Sequence, residues 1–288
     1  MSIEPSTALF ALIGDPVEHS LSPLIHNTAF EALSVDAAYA AFRVGRDRLA
    51  DAVDGMAALG FLGANVTIPH KLAVMDLVDD VTETARAVGA VNTIRFEKTG
   101  NAIRVLGENT DAAGFAGPLP GDGAPAPRSA LVLGAGGSSR AVIHACLRLV
   151  GIPDVAVTAR RENQASEIAD RFGGSAAGLR VVPWEKRASA AGEAELIVNC
   201  TPLGMHPATD GTPLEDVSGI GSDQVVYDLV YSPEETRLLK ESSARGARTI
   251  SGLEMLIGQA AAAFKWWTDL EMPIEQIRRA VRLRLAGS

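Results

Sequence analysis

The chain has 288 residues, 47% hydrophobic and 21% charged, a composition that excludes a disordered or collagen-like polymer. It carries 26 Lys and Arg against 35 Asp and Glu, a formal charge of −9. That excludes nucleic-acid binding through one broad basic face, so any acidic ligand has to find a local cluster of donors. The length favours two domains. From the start of the chain, short apolar strands alternate with helical patterns. The strands expected are Leu9–Ile13, Ala38–Val44, Gly63–Ile68, Ala90–Phe96 and Ile103–Leu106, and the helices Pro23–Leu33, Asp47–Leu59 and Lys71–Val78. Ser22 is expected to cap the first helix, with Pro23 at the first helical position, where its missing N–H costs nothing.

Residues Gly117 to Ser129 read GPLPGDGAPAPRS, seven Gly or Pro in thirteen, and are expected to form a linker. Beyond it the alternation resumes. Strands are expected at Ala130–Leu133, Val155–Thr158, Leu179–Val182, Leu196–Cys200 and Val225–Leu229, with helices at Ser138–Val150, Gln164–Phe172 and Thr236–Ala244. Helices are also expected at Leu253–Leu270 and Ile274–Leu285. Such interleaving predicts an α/β protein with parallel sheet covered on both faces. The run Ala8–Ile13 is too short for the apolar part of a secretory leader and has no basic flank. No run approaches the ~20 apolar residues of a membrane span. Cys146 and Cys200 fit no metal-ligand spacing and no disulfide framework, which points to a reducing cytoplasm.

Leu131–Leu133 runs into Gly134-Ala135-Gly136-Gly137-Ser138-Ser139. Strand, glycine turn and helix form the setting of a dinucleotide site, where exposed amides and the helix dipole receive a pyrophosphate. The third glycine of the general pattern is Ser139 here. An NAD site places an acid after the next strand, but this chain has Arg160 and Arg161 there. Forked guanidinium donors suit a 2′-phosphate, so NADP is expected over NAD. A solvated surface pair is the plainer alternative.

In the first half, polar residues gather at strand ends. Ser20 and Ser22 follow the first strand, Asn65 and Thr67 alternate onto one face of the third, and Lys71 follows Pro69. Asn92 is expected inside a strand, and Asp111 at the cap of a helix. Each has a bland reading as a cap or turn residue. Together they stand where open α/β sheets bind ligands, and a Lys–Asp pair can pass a proton to or from a substrate hydroxyl.

Eight ordered blocks resemble the shikimate dehydrogenase family from about Leu12 to Pro273: GDPVEHSLSPLIHN, GANVTIPHK, GAVNT, GENTDAAG, GAGGSSRA, NCTPLGM, YDLVYSPEETRLL and GLEMLIGQAAAAF. The resemblance implies reversible NADP-linked reduction of 3-dehydroshikimate to shikimate, a step of aromatic amino-acid biosynthesis. It implies a catalytic dyad of Lys71 and Asp111. Substrate contacts would come from Ser20, Ser22, Asn65, Thr67, Asn92, Tyr231 and Gln259. The cofactor would be NADP, held by Gly134, Ala135, Gly136, Gly137, Ser138, Arg160, Arg161, Leu229 and Gly252, with Glu83 as a further contact. The implied fold has an N-terminal α/β substrate domain (1–118) and a Rossmann-like domain (119–252) separated by a cleft, with C-terminal helices (253–288) returning to the first. One departure stands out: where the family often has Asn-Arg-Thr, this chain has Ala159-Arg160-Arg161. The enzyme is expected to be cytoplasmic, a monomer or homodimer, with no metal, nucleic-acid or membrane partner. The alternatives are a quinate-oriented relative and a ligand-binding protein that has lost the chemistry. The latter would be expected to lack Lys71 or Asp111, and both are present.

Overall fold

The structure, a computed structural model, describes residues 3–100, 102–119 and 125–286. It divides into two compact units, one running to Thr110 and taking in the chain from Gln259 onward, the other running from Asp111 to Gly258. Part of the expected linker, residues 120–124, lies outside the described residues.

The first unit is built from β1 (Ala8–Gly14), α1 (Ser22–Ala32), β2 (Ala37–Arg43), α2 (Leu49–Ala58), β3 (Gly63–Val66), β4 (Asp80–Val81), α3 (Glu83–Val88), β5 (Thr93–Thr99) and β6 (Ala102–Glu108). The sheet order is β2-β1-β3-β5-β6-β4. β1 is parallel to β2 and β3, whereas β5 runs antiparallel to β3 and β6. Period-2 alternation sends Ala11, Ile13, Ala64 and Val66 into a core with Val53 and Met56 of α2. Phe10, on the opposite face, packs against Phe30 of α1 at 5.4 Å.

The second unit contains α4 (Asp111–Ala116), β7 (Ser129–Leu133), α5 (Gly137–His144), β8 (Asp154–Thr158), α6 (Glu162–Arg171), β9 (Leu179–Val181), α7 (Arg187–Glu193), β10 (Leu196–Asn199), β11 (Val225–Asp228), α8 (Arg237–Ser243), β12 (Arg248–Ser251) and the start of α9 (Gly252–Thr268). All strand pairs are parallel, in the order β12-β11-β10-β7-β8-β9. Numbered within this unit, that is 6-5-4-1-2-3, the doubly wound order of dinucleotide-binding sheets. The units divide at Thr110, ahead of the Gly/Pro-rich segment, because α4 packs against α5 and the π-helical turn Ala145–Val150 that continues it.

The chain from Gln259 onward groups with the first unit. Trp267 of α9 lies over Gly63, where a Cβ would sit 2.4 Å from its indole nitrogen, and that nitrogen donates to the Ile94 carbonyl at 3.0 Å. Only glycine leaves room for the ring. α10 (Ile274–Ala286) packs on α1.

His26 of α1 is fully buried among Phe30, Tyr39, Phe264 and Trp267, stacked on Tyr39 at 4.5 Å. Neither ring nitrogen has a hydrogen-bond partner among the described residues. Burial pushes its pKa down to about 3, so the folded protein holds the imidazole neutral while the unfolded chain takes up a proton near pH 6.5. This group's stabilising effect is full above that pH and is lost as pH falls. A His26→Phe variant removes this component. Between about pH 6 and pH 4.5, urea denaturation should show its unfolding free energy changing with a slope lower than wild type by about 1.4 kcal/mol per pH unit. Parallel curves would contradict a neutral, buried imidazole.

Candidate functional site

In the second unit, strand order reverses between β7 and β10, the crevice where doubly wound sheets receive ligands. The loop leaving β7 begins with Gly134, whose φ is +113°. A Cβ there would also come 3.2 Å from the Cys200 carbonyl group. Conformation and space both require glycine. The Gly134 amide donates to the Thr158 carbonyl at the end of β8 at 2.7 Å. Gly136 precedes α5 with its backbone exposed and nothing within 4 Å of a notional Cβ. Ala135, Gly137 and Ser138 are half-buried around it. Ser139 replaces the expected third glycine without obstruction: it is fully buried, and its hydroxyl accepts the Gly136 amide at 3.1 Å.

Arg160 and Arg161 follow β8 as exposed residues, and neither forms an ion pair among the described residues. They therefore remain available to an anion. Beyond β10 and β11, two polar residues that the sequence reading did not single out organise the loops. Asn199 accepts the Thr201 amide at 2.9 Å and donates to Asp228 at 2.8 Å. Asp228 also accepts the Val230 amide at 3.0 Å and the Thr236 hydroxyl at 2.7 Å. Burial pushes the Asp228 pKa up to about 6, opposed by these hydrogen bonds. The available signal was a polar residue at the last position of each apolar strand.

Leu229 and Gly252 come together. A Cβ on Gly252 would lie 2.2 Å from the Leu229 carbonyl oxygen, so any side chain there would displace that backbone. Tyr231 is half-buried in the loop that Asp228 anchors, and burial raises its pKa. Asp111 is buried as the first residue of α4 rather than standing ahead of it, and a carboxylate in a first turn is favoured by the helix dipole. Phe115 of the same helix stacks on Tyr227 at 4.9 Å. α9 crosses close to α4, where a Cβ on Gly258 would lie 3.0 Å from the Gly114 Cα.

The first unit gathers the hydroxyls and amides. Ser22 is not the cap of α1 but its first residue; Leu21 stands at the cap without a side-chain bond, and Ser20, one residue earlier, accepts the Ser22 amide and donates to its hydroxyl, both at 3.2 Å. Asn65 is buried within β3. Thr67 lies just beyond the strand, its amide bonded to the Ile13 carbonyl at 2.9 Å and its methyl filling the space beside Gly14. Lys71 does not begin a helix. It stands in a turn ahead of the short 3-10 segment Ala73–Leu77, so no full helix dipole opposes its charge. The turn is pinned from both sides. His70 donates from Nε2 to the Val44 carbonyl at 2.7 Å, and the Lys71 carbonyl accepts the Val91 amide at 2.8 Å. His70 is a third residue that the sequence reading passed over.

Asn92 lies in the loop entering β5 rather than within the strand, because Val91 gives its amide to Lys71 instead of to a neighbouring strand. Its Oδ1 accepts the Thr110 amide at 2.8 Å, and its Nδ2 donates to the Thr110 hydroxyl at 3.0 Å. Two residues, Val91 and Asn92, thus hold the Lys71 backbone on one side and the residue preceding Asp111 on the other. Lys71 and Asp111 themselves fall in different compact units. Gln259 is half-buried on α9, grouped with the first unit, and Glu83 is exposed at the start of α3. Among the described residues no group of three or more His, Cys, Asp or Glu could hold a metal ion. None of the helices among those residues is long and apolar enough to cross a membrane.

Comparison with known proteins agrees with this layout. A family model described as the shikimate dehydrogenase substrate binding domain matches residues 12–94, and one described as the shikimate 5′-dehydrogenase C-terminal domain matches residues 252–282. The chain is 49% identical to a Salinibacter ruber protein named shikimate dehydrogenase (NADP(+)), over 98% of this chain and 99% of the relative. The Thermus thermophilus shikimate 5-dehydrogenase, solved in complex with NADP(H) and shikimate, superimposes with a TM-score of 0.83 at 38% identity, covering 96% and 99% of the two chains. The Corynebacterium glutamicum quinate dehydrogenase, solved in complex with NAD, gives 0.87 at 33% identity, covering the same shares.

Proposed function

Because the chain belongs to the shikimate dehydrogenase family, we propose that it catalyses the reversible NADP-dependent reduction of 3-dehydroshikimate to shikimate, in aromatic amino-acid biosynthesis. The observation that carries this reading is the joint anchoring of the Lys71 turn and of the residue before Asp111 by Val91 and Asn92. It rests on two more features: the open glycine loop at the switch point and the two exposed arginines beyond β8, unpaired among the described residues.

The residues at the second sheet fit NADP. The loop from Gly134 to Ser138 would receive a pyrophosphate at the start of α5, with the Gly134 and Gly136 amides already bonded within the protein; Arg160 and Arg161 would take the 2′-phosphate, and Leu229 and Gly252 would offer backbone beside the nicotinamide. When bound, the reduced cofactor supplies the hydride. In the reducing direction Lys71 donates a proton to the ketone oxygen, and in the reverse direction it takes that proton from the hydroxyl. Asp111 is the other member of the proposed dyad. Ser20, Ser22, Asn65, Thr67, Asn92, Tyr231 and Gln259 bind the hydroxyls and carboxylate of the ring. Apart from Tyr231, these substrate contacts lie in the first unit, and the residues named for the dinucleotide lie in the second. We place the enzyme in the cytoplasm as a monomer or homodimer, with both cysteines reduced.

Lys71→Ala should lower kcat for shikimate oxidation by at least about 100-fold, the scale of general acid–base catalysis, with shikimate binding still measurable by calorimetry. Turnover near wild type would remove Lys71 from the chemistry. Arg160→Ala should raise KM for NADP by about 10-fold or more, the loss of a charge-assisted hydrogen bond, with KM for NAD little changed. Equal effects on the two cofactors would show that Arg160 does not read the 2′-phosphate.

A further inference from the structure

Tyr39 belongs to β2 and appears in none of the assignments above. Its side chain is almost completely buried, and three separate contacts fix it. The Asn27 side chain of α1 pairs with its backbone on the outer edge of the sheet, accepting the Tyr39 amide at 2.8 Å and donating to its carbonyl at 2.9 Å. β2 is an edge strand, so this amide also occupies backbone groups that would otherwise be open for pairing. The His26 ring stacks on the tyrosine ring at 4.5 Å, with 8° between the planes. The hydroxyl donates to Asn65 Oδ1 at 2.8 Å.

The direction of that last bond is determined by its neighbours. The Thr110 backbone amide can only donate, so the oxygen of the Asn92 side chain must face it, at 2.8 Å. The Asn92 carbonyl can only accept, and Asn65 Nδ2 lies 3.4 Å from it and 3.0 Å from the Thr93 hydroxyl, which also meets Asn92 Oδ1 at 3.1 Å and the Thr110 hydroxyl at 3.2 Å. The Asn65 nitrogen is thereby turned toward Thr93 and its oxygen toward Tyr39, which donates. Buried side chains connect Thr110 to Tyr39, and the tyrosine hydroxyl closes the network at Asn65.

We propose that Tyr39 is a positioning residue for the polyol site: its hydroxyl, held by Asn27 and His26, locks the Asn65 side-chain amide in the orientation that meets a substrate hydroxyl. This rests on the reading of Asn65 as a substrate contact. Without the hydroxyl, the buried Asn65 oxygen has no donor from β2, and the amide, held only at its nitrogen, can tilt before substrate arrives. Part of the binding energy is then spent on restoring its orientation.

The test is steady-state kinetics on the full chain with Tyr39→Phe, Asn65→Ala and the double variant. Tyr39→Phe keeps the ring and its packing. It should raise KM for shikimate about 5- to 30-fold, as expected for one buried hydrogen bond, with kcat and KM for NADP within about twofold of wild type. In the Asn65→Ala background, the same change should add nothing further to KM for shikimate. If Asn65→Ala raises that KM while Tyr39→Phe leaves it unchanged, the proposal fails and the reading of Asn65 stands. Additive effects, or equal losses in kcat and in both KM values, would assign Tyr39 a structural role only and overturn the proposal. If Asn65→Ala itself leaves KM unchanged, the reading of Asn65 fails and the proposal falls with it.

Discussion

The hydrogen bond from the Thr110 amide to Asn92 Oδ1, 2.8 Å long and fully buried, is the constraint on which the arrangement of the first unit depends. A backbone amide cannot reverse its role, so this contact fixes which way Asn92 faces. The Asn92 carbonyl and the Thr93 hydroxyl meet the Asn65 nitrogen, which leaves the Asn65 oxygen to Tyr39. Along the backbone, the residue before Asn92 holds the Lys71 carbonyl, and the residue after Thr110 is Asp111. Removing the Asn92 side chain would leave the buried Thr110 amide without its acceptor, at roughly 1–3 kcal/mol. The cost would fall on the segments that carry the proposed proton-transfer residues.

The second unit obtains comparable order by a different route. Its sheet is wholly parallel, so every loop at the C-terminal edge must be held by something other than a hairpin. Gly134 holds the first loop by close approach to Cys200 and a bond to Thr158. Asn199 and Asp228 hold the next two by side-chain hydrogen bonds to backbone amides and to each other. Asp228 is buried with no cationic partner among the described residues, and burial pushes its pKa up to about 6. Its three hydrogen bonds offset part of the cost of holding a charge there. The loop it fixes carries Leu229 and Tyr231, the positions proposed to face the nicotinamide and the substrate.

Much of this was legible in the sequence. The apolar runs of β1, β7, β8, β10 and β11 stood out because each is bounded by Gly, Pro or polar residues, and the glycine loop announced the doubly wound unit. Elements with little apolar surface to bury were missed. β12 has one fully buried position, Ile250, and α3 is only six residues long. Yet α3 carried its signals, with Thr82 capping its start and Gly89 at a φ of +70° ending it. The candidate site residues were readable as residue types; their connections were not. Asn65 takes its orientation from Tyr39 on another strand and from Thr93 across the sheet. Ser20, one residue ahead of the cap of α1, accepts the Ser22 amide because the chain turns back on itself before the helix. No spacing rule encodes either relation.

The net charge of −9 describes the bulk of the surface and is no obstacle to acidic ligands. Lys71, Arg160, Arg161 and the amides of the glycine loop supply local positive potential at the ends of the two sheets. The most direct test of the whole account is a four-way assay of the purified protein, with shikimate and quinate each offered with NADP and with NAD. The account predicts the highest kcat/KM for shikimate with NADP. Absence of shikimate turnover with either cofactor would contradict it.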